Sequence, residues 1–334
     1  MTASLLSRRF WFVLPVLALL AVTARAVEPA NPFIGSFALT IPGGGAGWLG
    51  VVEKDRKLSG SLLWGGGSVL PVDSVEVKGD TLIVTRLHKD AKKPENSVTE
   101  TITGKLDGNT LNLTTVKTRP GKPETGKAEF VGKRTAPLPP RPDLSTIKFG
   151  PAVTLFNGKD LSGWKLINEK AANGWSVKDG VLNNDPVQEE GKPHKGYGNI
   201  RTEQEFEDFN LTLETNVPKG SNSGVYLRGI YEVQIVDSFG KSLDPHNMGA
   251  IYSRITPSEA AEKPPGEWQT LDITLVDRHA TVILNGKKII DNQPLLGCTG
   301  GALWADQSRP GPIYLQGDHS GANYRNIVLK PIVK

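Results

Sequence analysis

Short runs of alternating apolar and polar residues, each closed by a turn signal, recur along this chain from residue 31 onward. Up to residue 134 the runs are Phe33–Leu39, Trp48–Val52, Leu58–Trp64, Val69–Val77, Thr81–Leu87, Val98–Thr103, Thr110–Val116 and Ala128–Lys133. Between them lie Lys78-Gly79-Asp80, Asp107-Gly108-Asn109 and the glycine run Gly43–Gly47. A period of two sends successive side chains to opposite faces of a strand, and turns of this composition suit tight hairpins. About eight strands joined so closely predict a meander closed into a small barrel or sandwich. The 37 glycines and 24 prolines among 334 residues fit an all-β chain. The one helix candidate is short, at Ser258–Lys263.

The pattern breaks at residues 135–150, where Ala-Pro-Leu-Pro-Pro-Arg-Pro-Asp reads as a stiff, extended linker. Strands resume at Pro151 and run to the end. About a dozen or more are expected over 151–334, enough for two packed antiparallel sheets. The expected organisation is therefore a leader over 1–26, a small all-β accessory domain over 27–134, the linker, and a larger β-sandwich over 151–334.

The leader reading rests on Arg8 and Arg9, the apolar stretch Phe10–Val22, and the small-x-small site Ala24-Arg25-Ala26. The apolar stretch is short for a membrane span, and no cysteine follows it to take a lipid. An exported protein, periplasmic or secreted and without a stable membrane anchor, is the expectation. Arg8, Arg9 and Arg25 account for three of the four net positive charges, so the mature chain is near +1. No basic stripe remains to argue for nucleic acid. The single cysteine, Cys298, rules out an intrachain disulfide and reads as a small buried filler.

The stretch Ser221–Asp237, S-N-S-G-V-Y-L-R-G-I-Y-E-V-Q-I-V-D, is unlike an ordinary surface strand. Read as one extended run, it sets Tyr226, Arg228, Glu232 and Gln234 on one face. Leu227, Tyr231, Val233 and Ile235 face the other way, into a core. An arginine, a carboxylate and an amide at alternate positions, framed by aromatic and β-branched residues, suit the floor of a ligand cleft.

An ordered set of further segments resembles one known family. The segments are F-N-G-K-D-L-S-G-W (156–164), W-S-V-K-D-G-V-L (175–182), F-E-D-F-N-L-T-L-E (206–214), S-N-S-G-V-Y-L-R (221–228) and Y-E-V-Q-I-V-D (231–237). G-A-I-Y (249–252), P-G-E-W-Q-T (265–270), L-N-G (284–286), I-Y-L-Q (313–316) and Y-R-N-I (324–327) follow in order. Together they resemble the 3-keto-disaccharide hydrolase domain family over nearly all of 151–334. The resemblance implies a concanavalin- or laminin-G-like jelly roll and cleavage of 3-keto-glycosides, by hydrolysis or by elimination across C1–C2. In that setting Glu232 is the candidate base for the acidic C2 hydrogen, and Arg228 the candidate for stabilising the enolate oxygen. His319, in L-Q-G-D-H-S-G, is the candidate proton donor to the leaving oxygen. Gln234, Asp237, Tyr252, Gln316 and Asn222 are candidate substrate contacts, with Trp304 at the rim.

Plainer readings stand beside these. Glu232 and Arg228 also suit a surface ion pair of little energetic weight, and Asn222 a turn cap. Trp164, Trp175 and Trp268 read as core. Asp244, His246 and Asp306 do not have the spacing of a metal-ligand set, so neither a metal nor another cofactor is expected, although a structural calcium ion stays open. The partner is a carbohydrate, with the oligomeric state open. A non-catalytic, lectin-like module is the alternative to the enzyme, and a structural envelope protein a third reading.

Overall fold

Hydrogen-bonded pairing in the computed structural model, which describes residues 31–333, builds three antiparallel sheets. The leader expected over 1–26 lies outside the described residues. Among the described residues there is no α-helix, and no helix long and apolar enough to cross a membrane. The chain is all-β, as the period of two implied.

The first sheet is a meander of nine strands. In spatial order they are Leu70–Pro71, Lys57–Trp64, Ala46–Lys54, Gly35–Thr40, Thr125–Arg134, Thr110–Thr118, Val98–Asp107, Thr81–His88 and Ser74–Lys78. One more strand appears than expected, because Val69–Val77 divides at Pro71-Val72-Asp73. Pro71 has no N–H to continue a ladder. The Val72 N–H reaches back to the Gly60 carbonyl (3.0 Å). That contact brings the last strand against Lys57–Trp64 and curls the sheet toward a barrel. Phe37, Leu39, Leu49, Val51, Leu82, Val84, Ile102 and Leu111 fill its interior.

The larger part is a sandwich. One sheet runs Trp175–Lys178, Val181–Asn184, Ala322–Val333, Phe209–Asn216, Trp268–Val276, His279–Leu284 and Lys287–Pro294. The short strands Lys148–Phe149 and Val153–Thr154 also pair with Ala322–Val333. The facing sheet runs Trp164–Leu166, Ile200–Thr202, Tyr314–Leu315, Asn222–Leu227 and Tyr231–Val236. Its inward side chains, including Ile200, Val225, Leu227, Val233, Ile235 and Leu315, share one core with Leu211, Ile273, Val282 and Leu329 of the other sheet. Trp164 and Trp175 are buried in that core, as expected. Trp268 is half-buried under the Arg325 guanidinium, 3.9 Å from its ring centre. Ser258–Lys263 is irregular and not helical. The Ser258 N–H bonds to the Ile289 carbonyl (2.8 Å) and the Lys263 N–H to Gln269 Oε1 (2.9 Å), so strand edges take the bonds a helix would need.

From Phe33 onward the chain is one compact unit. The proline-rich segment lies along the sandwich: Arg278 donates to the Ala136 and Pro137 carbonyls (3.0 and 2.6 Å) and Asn292 to the Pro142 carbonyl (2.8 Å). The meander itself contributes Ala46, Trp48 and Leu63 to the sandwich core. The Arg254 guanidinium lies 4.5 Å from the Trp48 ring centre while donating to the Cys298 carbonyl (2.8 Å). Gly297 leaves room for that indole, since a Cβ there would fall 2.5 Å from its Cδ1. Trp48→Ala removes this wedge and uncovers Arg254. Urea unfolding of that variant is expected to show a loss of about 3–5 kcal/mol; a loss under 1 kcal/mol contradicts the packing described.

Candidate active site

The stretch singled out by its polar alternation is a hairpin, not one run. Asn222–Leu227 pairs with Tyr231–Val236, Leu227 opposite Tyr231, and Arg228-Gly229-Ile230 turn the corner. Arg228 and Gly229 both take positive φ, 55° and 67°. The turn changes which residues share a face. Tyr226 stands directly opposite Glu232, and Gly224 opposite Gln234. Arg228 leaves the strand and swings away. It is 2% exposed and donates to the carbonyls of Gln307 (2.8 Å) and Arg309 (3.0 Å). The expectation that Arg228 shares a cleft with Glu232 is therefore corrected: the positive-φ corner points it into a separate cavity of about 640 Å³, with Trp304, Asp306 and Lys133.

Glu232, by contrast, faces a pocket of about 290 Å³ on the outer side of the smaller sheet. His319, Asn222, Tyr252 and Gln316 line the same pocket. Gln234 lies just beneath. With its amide oriented to suit its neighbours, it donates to Glu232 Oε1 (3.2 Å) and the Ser223 carbonyl (3.1 Å). Asp237 is not there. It accepts from the Gly220 N–H (2.9 Å) and steadies the turn before the hairpin.

Several lining groups carried no signal in the alternation. Tyr314 pairs with Tyr226 on the neighbouring strand, and their rings stack at 4.0 Å and 9°. Asn199 Oδ1 accepts from the Gly317 and Asp318 N–H groups (2.7 and 3.1 Å), and Asn184 donates to the Gly317 and Ser320 carbonyls. Those bonds hold the loop that carries Asp318 and His319. Gly66 and Gly67 of the meander, with Gly300 and Gly301, form the remaining wall. The local cue to the loop was the L-Q-G-D-H run itself; the glycines arrive from distant sequence.

The chemistry turns on Glu232. Gly224 makes room for its carboxyl, since a Cβ at 224 would sit 2.4 Å from Oε1. Only 3% of the residue is exposed. Burial pushes its pKa up to about 8, against the Tyr226 hydrogen bond and the His319 charge, which lower it. The Tyr226 hydrogen bond is divided between two acceptors. The Tyr226 hydroxyl lies 2.9 Å from Glu232 Oε2 and 2.7 Å from the Gly300 carbonyl. The hydroxyl has one proton for two acceptors, so the Gly300 carbonyl competes with Glu232 for it and weakens the bond that favours the charged carboxylate. Beside it, His319 Nδ1 and Asp318 Oδ1 are 2.7 Å apart. The Asp318 hydrogen bond raises the imidazole above its ordinary range. Burial raises Asp318, yet the bond to His319 holds it below the usual carboxylate value. The pocket thus sets a buried acid that holds its proton beside a hydrogen-bonded histidine–aspartate couple.

Asp244, His246 and Asp306 do not gather: Asp244 bonds to His246, and Asp306 accepts from Ser308 (2.6 Å) in the other cavity. Among the described residues no group of three or more histidine, cysteine or acidic side chains converges as metal ligands. Cys298 is fully buried, and burial raises its thiol to about 11.

A buried carboxyl, a histidine–carboxylate couple and amide groups thus converge on one small pocket on a face of the β-sandwich. Residues 151–330 match the profile of the 3-keto-alpha-glucoside-1,2-lyase-like domain, and the chain belongs to that family. It is similar to a 3-keto-disaccharide hydrolase of Bacteroides thetaiotaomicron, 26% identical over 150 residues, which are 36% of this chain and 51% of that protein. The chain thus spans about half the length of this curated relative. Among solved structures it is similar to two proteins of Parabacteroides distasonis described as glycosyl hydrolases. One is 31% identical, with 60% of this chain and 94% of that one covered and a TM-score of 0.45. The other is 28% identical, with 55% and 100% covered and a TM-score of 0.41.

The burial of Glu232 has a consequence for stability. The folded protein holds this proton more tightly than the unfolded chain, whose value is near 4.5. The favourable contribution is complete below that value and is lost as pH rises through about 8. Glu232→Gln is expected to remove this part of the slope, so that urea midpoints between pH 5 and 9 fall less steeply than in the wild type. Parallel curves for the two proteins contradict the shifted carboxyl.

Proposed function

We propose that this protein is an exported enzyme that opens 3-keto-glycosides by taking the proton at C2, with Glu232 as the base. The observation that carries the reading is the Glu232 carboxyl, buried at the pocket floor and tuned close to neutrality. A general base works best with a pKa near the operating pH. The C3 carbonyl of such a substrate makes the C2 hydrogen acidic, so a carboxylate suffices. Its ionised fraction is roughly one in ten at pH 7 and rises above that.

In the first step the C2–H bond breaks, the proton passes to Glu232, and the electron pair moves onto the C3 oxygen as an enolate. With Arg228 bound elsewhere, Tyr252 and Asn222 are the pocket groups assigned to that oxygen. In the second step the enolate re-forms the carbonyl, C1–C2 becomes a double bond, and the C1–O bond breaks. His319, charged through Asp318, gives its proton to the departing oxygen. Water adding to C1 afterwards completes a net hydrolysis; without it the product is the unsaturated keto sugar. Further support comes from Gln316 Oε1, a buried acceptor without a partner among the described residues, where a sugar hydroxyl has a place to donate. The family membership and the name of the curated relative agree with the same substrate class.

The test is turnover of a 3-keto-α-glucoside with the product identified. Glu232→Gln is expected to lower kcat by ~10²–10⁴ with its fold intact, and His319→Ala by a similar factor. For the wild type, kcat/KM should climb with pH toward about 8 as Glu232 ionises, and deuterium at C2 should slow it. Full activity in Glu232→Gln removes the base from this position. Saturable sugar binding with no turnover by the wild type instead identifies a lectin-like module.

A further inference from the structure

Two of the residues that line the Glu232 pocket lie outside the family's domain. Gly66 and Gly67 belong to the meander, more than eighty residues before the matched segment begins at 151. They occupy the turn after strand Lys57–Trp64, and that turn is anchored to the sandwich on both sides. Ser68 Oγ lies 2.8 Å from His246 Nε2, and the Val69 N–H donates to Ser253 Oγ at 2.7 Å. The ring of His246 in turn meets Tyr252, another lining residue, edge-on at 4.9 Å. On the other side the backbone of Gly67 presses against Gly300, where an added Cβ would fall 2.2 Å from the Gly67 oxygen. Gly300 is the residue whose carbonyl fixes the Tyr226 hydroxyl beside Glu232. The turn is therefore a fixed wall, built against the same groups that set the charge of Glu232.

The wall is also bare. An added Cβ at Gly66 meets no heavy atom within 4 Å, and Gly66 does not need a positive φ. Neither sterics nor backbone conformation requires glycine at that position. Gly67 differs, with φ at 88°. At about 290 Å³ the pocket is at the lower end for small-molecule sites, so one side chain there takes a substantial part of it.

We propose that the meander supplies a specificity wall, in which Gly66 sets the size of the substituent that a 3-keto-glycosyl ring carries into the pocket. The proposal rests on the substrate class put forward above. It gives the first domain a role in substrate choice that the sandwich cannot perform alone, because Tyr226, Glu232 and His319 bound only the other sides of the space.

The experiment is a size series at one position, Gly66→Ala, Gly66→Leu and Gly66→Trp, in the full chain. Thermal unfolding should change little across the series. With methyl 3-keto-α-glucoside and a 3-keto-disaccharide as substrates, kcat/KM is expected to fall in order of side-chain size. Gly66→Trp should lose at least tenfold on the disaccharide, chiefly through KM, and less on the methyl glycoside. Equal kcat/KM for wild type and Gly66→Trp on both substrates overturns the proposal, as does an equal loss on both. If the wild type turns over neither, the catalytic reading fails, and calorimetry decides the wall separately with the same two compounds. Weaker binding of the disaccharide by Gly66→Trp than by wild type still supports it. Equal binding, or binding by neither protein, overturns it.

Discussion

A carboxyl group buried beside a pair of stacked tyrosines must be neutral or paired, and the rest of the site is arranged around that requirement. Glu232 meets it by holding its proton, because burial outweighs the Tyr226 hydrogen bond, whose single proton the Gly300 carbonyl also draws on. The hairpin makes this geometry possible. Pairing Tyr226 with Glu232 across the ladder brings the two groups onto one face at the spacing of a cross-strand pair. Gly224, diagonal to Glu232, supplies the missing volume. The remaining backbone of 232–234 is closed off by the segment 249–252: Tyr252 N–H donates to the Glu232 carbonyl (3.0 Å) and Gln234 N–H to the Ala250 carbonyl (2.9 Å). The same two bonds place the Tyr252 side chain beside the acid.

The face carrying Tyr226, Glu232 and Gln234 was legible because alternation is local and survives burial. So was the opposite face, where Val225, Leu227, Val233 and Ile235 enter the core. Arg228 was not. A long polar side chain at positive φ is rare, and the run around it contains the β-branched residues of a strand, so nothing short-range marked the corner except Gly229. Once the corner forms, parity restarts and Arg228 drops out of the set. The wall made by Gly66 and Gly67 was hidden for a different reason. Glycines in a turn look alike whether they face water or a pocket, and their partners here, His246, Ser253 and Gly300, are well over a hundred residues away. His319 was legible only through its neighbours, since a loop histidine acquires meaning from Asp318 and from the Asn199 bonds that hold the loop.

The proline-rich segment shows that composition is silent about contacts. Residues 136–142 carry no helix or strand; a 3-10 turn at Leu144–Thr146 and the short strand Lys148–Phe149 follow. The carbonyls of Ala136, Pro137 and Pro142 are taken up by Arg278 and Asn292. A stiff segment whose acceptors are met along its length acts as a strap. It fixes where the meander sits, and therefore where its glycine turn falls.

Strand Ala322–Val333 has a bearing on how the molecule is made. It lies inside the larger sheet, pairing with Val181–Asn184 and Phe209–Asn216, and with both short strands at 148–149 and 153–154. Every one of those partners is more than a hundred residues earlier. The sheet's centre therefore closes only after this late segment has emerged, through contacts of very long sequence separation. Such topologies fold slowly, and until closure Phe209–Asn216 presents an unpaired apolar edge of the kind that invites association between chains. A nascent chain of this design spends its longest exposed interval just before the residues that protect it arrive.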